Sequence, residues 1–316
     1  MAMSKPIPHP CLFRHVSNRV AFPLVVDDFL VKCPDKASAD HLHRTLSLSY
    51  DMKIDWSGSK YIGFNLKFDT ITRTVNLSMP GYIAKVLTRF APTLLQGADS
   101  PALYIPPTYG AKTQKPCSDT TVLLDAPQRT RIQGLIESLL FYARGVDPTI
   151  RPAVNMIASL QANPTQSVSD ATDRLLQYCA RYPNNSVTLH ACDMVLHVQS
   201  DASYLSRPNA RSVAGGIFYI GQSNKPELIN GSILALGTLI PAVVASAVEA
   251  EYAALFLVGQ ETANLRNILA DLGYPQQPTL ILCDNACAVG LANNTVKQRR
   301  SKSIDMRFHW IRDRIS

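Results

Sequence analysis

VLHVQSDASYL, residues 195 to 205, is followed after a short break by AGGIFYIGQ, residues 214 to 222. Both are dense in β-branched and aromatic residues and are punctuated by Ser, Gly and Asn, as strands are. SVTLHAC just ahead and SILALG and LIPAVVAS just behind read as further strand. AVEAEYAALFLVGQETANLRNILADLG, residues 247 to 273, is long and helical; LILCDN is a strand, ACAVGLANN a short helix and SIDMRFHWIRDRI a last one. Strands first and helices later predict a mixed sheet flanked by helices, in an α/β unit of roughly 125 residues.

Upstream the pattern differs. From residue 21 to 95, strand-like and helix-like pieces alternate as in an α+β unit: AFPLVVDDFLVKC, then ADHLHRTLSLSY with Leu42, Leu46 and Leu48 at helical spacing. KYIGFNLKFD and RTVNLSM, joined through TIT, read as a hairpin, and PGYIAKVLTRF as a helix opened by Pro80. Residues 91 to 128 are rich in Pro, Gly, Ser and Thr with little periodicity, an irregular connection. Three helix candidates follow: RIQGLIESLLFYARGV, TIRPAVNMIASLQAN and SVSDATDRLLQYCARY.

The 316 residues are 46% hydrophobic and 17% charged, enough apolar material for one or two ordinary cores. No apolar run approaches the roughly 18 to 20 residues that span a bilayer, and MAMSKPIPHP lacks the apolar centre of a signal peptide, so the expectation is an intracellular protein without membrane contact. Seven scattered cysteines without a CxxC pair suggest neither a disulfide framework nor a zinc site, and Cys283 and Cys287 read as packing residues. Trp56, beside a Gly-containing turn, reads as a satellite core residue. Lys and Arg outnumber Asp and Glu by 31 to 24, and Lys297, Arg299, Arg300 and Lys302 cluster near the C-terminus, as a polyanion-binding face would.

Four acids of the C-terminal unit fall in strand ends or helix faces: Asp201, Glu251, Asp284 and Asp305. Singly, each has a structural reading; Asp201 can start a turn, and Asp284 can cap the helix that follows it. Together they are an oxygen-rich set of the kind that holds hard cations, and a pair of Mg²⁺ ions about 3.5 to 4 Å apart can clamp both the attacking water and the leaving oxygen of a phosphodiester. A different puzzle stands in FPLVVDDFLV, residues 22 to 31, where Asp27 and Asp28 interrupt an apolar run. A buried unpaired carboxylate costs several kcal/mol, so a metal or a turn must sit there.

The order SDASY, RSVAGGIFYIG, SAVEAEYAAL, CDNACAVGLANN and RRSKSIDMRFHWIRDRI resembles the ribonuclease H domain that ends a copia-type LTR retrotransposon polyprotein. The resemblance implies a ribonuclease H-like sheet and a nuclease for the RNA strand of RNA:DNA hybrids. It implies that two Mg²⁺ or Mn²⁺ ions are held by Asp201, Glu251, Asp284 and Asp305. In the helix, Val248, Tyr252, Leu255 and Gly259 centre the core-facing stripe, from which Glu251 departs by roughly 70° and Glu249 by roughly 90° on the other side. The family's AEY-like triplet places the functional acid at Glu251, with Glu249 its exposed neighbour.

Upstream, LVVDDFLV, YIGFNL and SMPGYIAKVLTRF look like the second half of a reverse transcriptase palm, and the three helices resemble the connection that joins polymerase to nuclease. The resemblance puts Asp27 and Asp28 on a hairpin turn as polymerase metal ligands. The 26 residues before Asp27 hold no Asp or Glu, Val25 stands where an aromatic is usual, and Glu137 where a small residue is, so the palm reads as truncated and unable to copy a template alone. The expected organisation is a poorly ordered leader at 1–20, a truncated palm at 21–95, a linker and helical connection at 96–188, and a ribonuclease H-like domain at 189–316. Partners would be an RNA:DNA hybrid and other retrotransposon Pol chains; the competing reading is a decayed, inactive transposon fragment with residual nucleic-acid binding.

Overall fold

The structure, a computed structural model, describes residues 11–15, 19–91, 93, 96–103, 119–224, 230–295 and the helix 305–315, the last with side chains only from Trp310. It is a mixed α and β structure with three sheets and eight α-helices among the described residues. Chain order begins with β1 (Leu12–Arg14), β2 (Ala21–Val25), β3 (Asp28–Phe29) and α1 (Lys36–Leu46). The three strands form an antiparallel sheet whose Phe22 packs with Leu42 of α1. Helix α1 starts where Asp35 accepts a 2.7 Å bond from Ser38 N, and it stops at Leu46, which leaves Leu48 outside the helix and exposed. β1 lies inside the stretch expected to be an unordered leader; its pairing with Ala21–Pro23 satisfies backbone groups that a loose leader would leave to water.

β4 (Lys60–Tyr61), β5 (Phe64–Asp69) and β6 (Thr74–Ser78) form an antiparallel meander, with Asp69 accepting from Ile71 N and Thr72 N to close the expected hairpin. Trp56, expected in a satellite core, is 55% exposed instead, with Lys36 Nζ 5.0 Å above its ring. Four helices then build the largest core: α2 (Tyr82–Phe90), α3 (Ala126–Gly145), α4 (Arg151–Leu160) and α5 (Gln166–Arg181). α3 opens on a reciprocal cap, in which Asp125 accepts from Gln128 N and Gln128 accepts from Asp125 N. Between α3 and α4 lies a 3-10 turn, Pro148–Ile150.

β7 (Ser186–His190), which SVTLHAC led us to expect in the C-terminal sheet, pairs in register with β6, from Thr74↔His190 to Ser78↔Ser186. Alternating residues announce a strand but not its partner. The C-terminal sheet comprises β8 (Val195–Arg207), β9 (Arg211–Gly221), β10 (Ser232–Leu239) and β11 (Ile281–Cys283) in the order β10-β9-β8-β11. Its first three strands are antiparallel, and β11 runs parallel to β8. Of LIPAVVAS only Leu239, the end of β10, is strand: after Ile240 N bonds Ser212 O, Pro241 offers no donor, and the chain turns into the helix with Ile240 and Val244 buried beneath it.

That helix, α6 (Ala247–Asp271), crosses one face of the sheet between β10 and β11; α7 (Ala286–Ala292) and α8 (Asp305–Ile315) follow. Leu196, Val198 and Phe218 meet Val258 and Leu269 of α6. Contact is closest at Gly216 of β9, where a Cβ would stand 2.8 Å from Val258 Cγ2. Gly216→Ala is therefore expected to lower unfolding free energy by about 1–3 kcal/mol. Gly216→Ala/Val258→Ala should lose at least ~0.5 kcal/mol less than the sum of its single variants. Denaturant melts of the four proteins decide this, and strict additivity would contradict the close approach.

Candidate functional site

Asp201 lies in the middle of β8, opposite Gly215 of β9, so it starts no turn; it is exposed. Asp284 directly follows β11, and the cap of α7 belongs to its neighbour: Asn285 Oδ1 accepts a 3.0 Å bond from Ala288 N. Both structural alternatives for these acids are thereby removed. Parallel pairing sets Cys283 beside Ser200, and so the next residues, Asp284 and Asp201, side by side at the end of that pairing.

Glu251 reaches the same place from α6. It is 7% exposed, its Oε1 accepts a 3.2 Å bond from Ala202 N, and the Cys283 thiol lies 4.0 Å from Oε2. Burial foremost, then the charge of Asp201 and that of Asp284, push its carboxyl up to about 7, against the opposing pull of the Ala202 bond. Glu249 has another task. Ser246 caps α6 by accepting from Glu249 N at 3.2 Å, and Glu249 Oε2 accepts from Ala245 N at 2.8 Å. Half-buried rather than the exposed neighbour expected, Glu249 fixes the helix entry that aims Glu251 at β8.

Carboxylate oxygens of Glu251 and Asp284 and the Cys283 sulfur lie within 4.8 Å of one another. Two hard oxygens suit a divalent cation such as Mg²⁺ or Mn²⁺, and binding one would favour the ionised form of Glu251. Cys283 packs as expected, against the cluster of Tyr252, Leu255 and Ala288, and its sulfur also borders this group; burial first, with the neighbouring carboxylates adding, pushes its thiol up and keeps it a protonated neighbour rather than a thiolate ligand. Its signal in the sequence was its place one residue before Asp284 on a strand. Asp201 is close enough to act on the charge of Glu251 but is outside that tight group. Asp305 opens α8, and its side chain lies outside the described residues, as do Lys297, Arg299, Arg300 and Lys302.

At the other end of the chain, Asp27 and Asp28 are exposed at the β2–β3 turn, where Leu24 pairs with Phe29 and Val25 with Asp28. A turn thus accounts for the two charges in an apolar run. Val26 ahead of them holds a φ of 57°, a left-handed conformation that is costly for a β-branched residue.

No family model matches the chain. It is similar to the retrovirus-related Pol polyprotein from transposon TNT 1-94 of Nicotiana tabacum, 27% identical over 97% of this chain and 22% of that protein. Similar too are those from transposons RE1 and RE2 of Arabidopsis thaliana, 27% and 26% identical over 92% of this chain and 19% of each. The chain thus spans about a fifth of the length of these curated relatives.

The raised Glu251 carboxyl predicts a pH signature. Its folded value, about 7, exceeds the ordinary 4.5, so its contribution is fully present below about pH 4.5 and is lost as pH rises through about 7. In chelator, wild type should lose about 2 kcal/mol relative to Glu251→Gln between those limits, the full ~1.4 kcal/mol per unit being reduced by water at the open end of the site. Parallel stability curves for the two proteins would show that Glu251 ionises normally.

Proposed function

We propose that the chain is the C-terminal part of a copia-type retrotransposon Pol polyprotein, in which a helical connection joins the end of a reverse transcriptase palm to a ribonuclease H-like unit. Its proposed activity is divalent-metal-dependent hydrolysis of the RNA strand of RNA:DNA hybrids inside the cell. The observation that carries this reading is a buried Glu251 brought from a crossing helix to two acids, Asp201 on β8 and Asp284 just past the end of the parallel strand β11. Similarity to the three plant Pol polyproteins supports a retrotransposon-related role. The strand order β10-β9-β8-β11, antiparallel except at β8–β11, supports the ribonuclease H-like assignment.

Glu251 and Asp284 would hold one divalent ion, with Asp201 facing the second and Asp305 completing the set. Bound ions would supply an activated water and charge stabilisation at the phosphorus. The chain's own part is to hold three carboxylates at fixed separation. Ala202 N positions Glu251, the Asn285 cap sets where β11 ends, and β8 keeps Asp201 in line. The closeness of like charges that raises Glu251 is relieved when a cation enters. Asp27 and Asp28 would mark the polymerase hairpin.

Purified chain with Mg²⁺ or Mn²⁺ should cleave the RNA of a labelled hybrid. Asp201→Asn, Asp284→Asn and Glu251→Gln should each cut the rate by at least about a hundredfold, while Glu249→Gln, which keeps an acceptor for Ala245 N, should leave most of it. No cleavage by wild type in either metal sinks the nuclease reading in favour of an inactive fragment. Primer extension by the chain alone is expected to be nil; nucleotide incorporation lost in Asp27→Asn would overturn that.

A further inference from the structure

A cavity of about 690 Å³ lies between the C-terminal sheet and the turn that leads into α4. One wall is sheet, with Asp201, Gly215, Ile217 and Gly237, and it ends at Asp284; the other is Pro148 to Pro152, with Arg151 among them. The Nε and Nη1 atoms of Arg151 are out of solvent and have no hydrogen-bond partner. Burial, and after it the charge of Arg144, work against the charged guanidinium. Among the described residues no ion pair joins Arg151 to either aspartate across the cavity.

Arg151 is half-buried, yet two of its three guanidinium nitrogens are out of water and without partners, a cost to the free chain that an anion from outside would offset. The turn that delivers it is firmly built. Asp147, 2% exposed, accepts from Thr149 N and Oγ1 and from Asn185 Nδ2, and Asn155 one turn into α4 donates to Gly237 O of β10. Glycine at 215 leaves the opposite wall low, so that a sugar-phosphate backbone can pass close to the sheet beside Asp201.

We infer that Arg151 binds a phosphate of the nucleic-acid strand presented to Asp201, Glu251 and Asp284, so that the helical connection supplies part of the substrate channel. This rests on the nuclease reading above for the identity of the strand. A planar fork of N–H donors matches phosphate oxygens, and a phosphodiester seated there lies between a cation on one wall and the carboxylate site on the other. Arg151 is in this sense a positioning residue: it fixes where the strand lies and takes no part in bond cleavage.

The test uses the full chain carrying Asp284→Asn, in chelator, with a fluorescent RNA:DNA hybrid read by anisotropy, so that binding is measured without turnover. Arg151→Met should weaken binding about tenfold and reduce the slope of log affinity against log salt by roughly 0.9, one phosphate contact. Arg151→Lys should keep the slope and recover part of the affinity. The unfolding midpoint of Arg151→Met should rise, because an unpartnered buried charge has gone; a merely structural arginine would give a fall. Unchanged affinity and slope, or weaker binding accompanied by a lower midpoint, overturns the inference. A wild type that binds hybrid without cleaving it defeats the nuclease reading alone, and one that binds no hybrid defeats both.

Discussion

A carboxylic acid placed against a β-strand beneath a helix is the constraint on which this molecule turns. Glu251 is withdrawn from water, has one backbone donor, and faces two further acids, one on β8 and one just past β11. Such a group is tolerable only if its surroundings are rigid and if a proton or a cation can be supplied. Rigidity comes from α6, 25 residues long, capped by Ser246, and seated on β8 and β9 so closely that Gly216 has no room for a side chain. The proton or cation comes from the open end of the site, where Asp201 and Asp284 are exposed.

The same economy governs the N-terminal part. Its helices α2 to α5 share one core, and its sheet is completed by a strand that arrives only after all four have been laid down. Side-chain amides bind this part to the C-terminal sheet. Asn230 accepts from His190 N and donates to His190 O and Ile220 O, so one residue reads the backbone of β7 and of β9 together. With Asn155 on Gly237 O, these contacts make the relation of helices to sheet a matter of specific hydrogen bonds rather than of apolar burial alone.

Much of this was legible in the residues. Long helices announced themselves by periodicity, and the order of strands before helices indicated a mixed sheet, but the capped start of α3 at Asp125 lies inside the stretch read as irregular connection, because a cap is polar and carries no periodicity. What escaped was partnership. SVTLHAC is equally good strand in either sheet, since pairing depends on residues more than a hundred positions away at Thr74–Ser78. Of LIPAVVAS only Ile240 and Val244 are buried with α6, a spacing that strand and loop satisfy alike. Among site residues, Glu251 could be separated from Glu249 only narrowly by helical angle; the structure separates them by task, one capping the helix and the other entering the sheet. Arg151 and Cys283 were invisible as functional candidates because their meaning lies in what stands across from them.

β7 has a consequence for how the chain can be divided. A boundary drawn between residues 188 and 189 runs through the strand itself, two residues short of its end. Fragments cut there would each inherit a raw edge: the upstream piece would hold β6 with most of its outer partner, and the downstream piece would begin with a stub ending in Asn230's counterpart, His190. Unpaired strand edges invite other strands, so such halves would tend to pair with copies of themselves. The parts before and after β7 are consecutive in sequence yet share a seam, and any recombination that exchanged one of them would have to carry β7 with the sheet it closes rather than with the sheet it precedes.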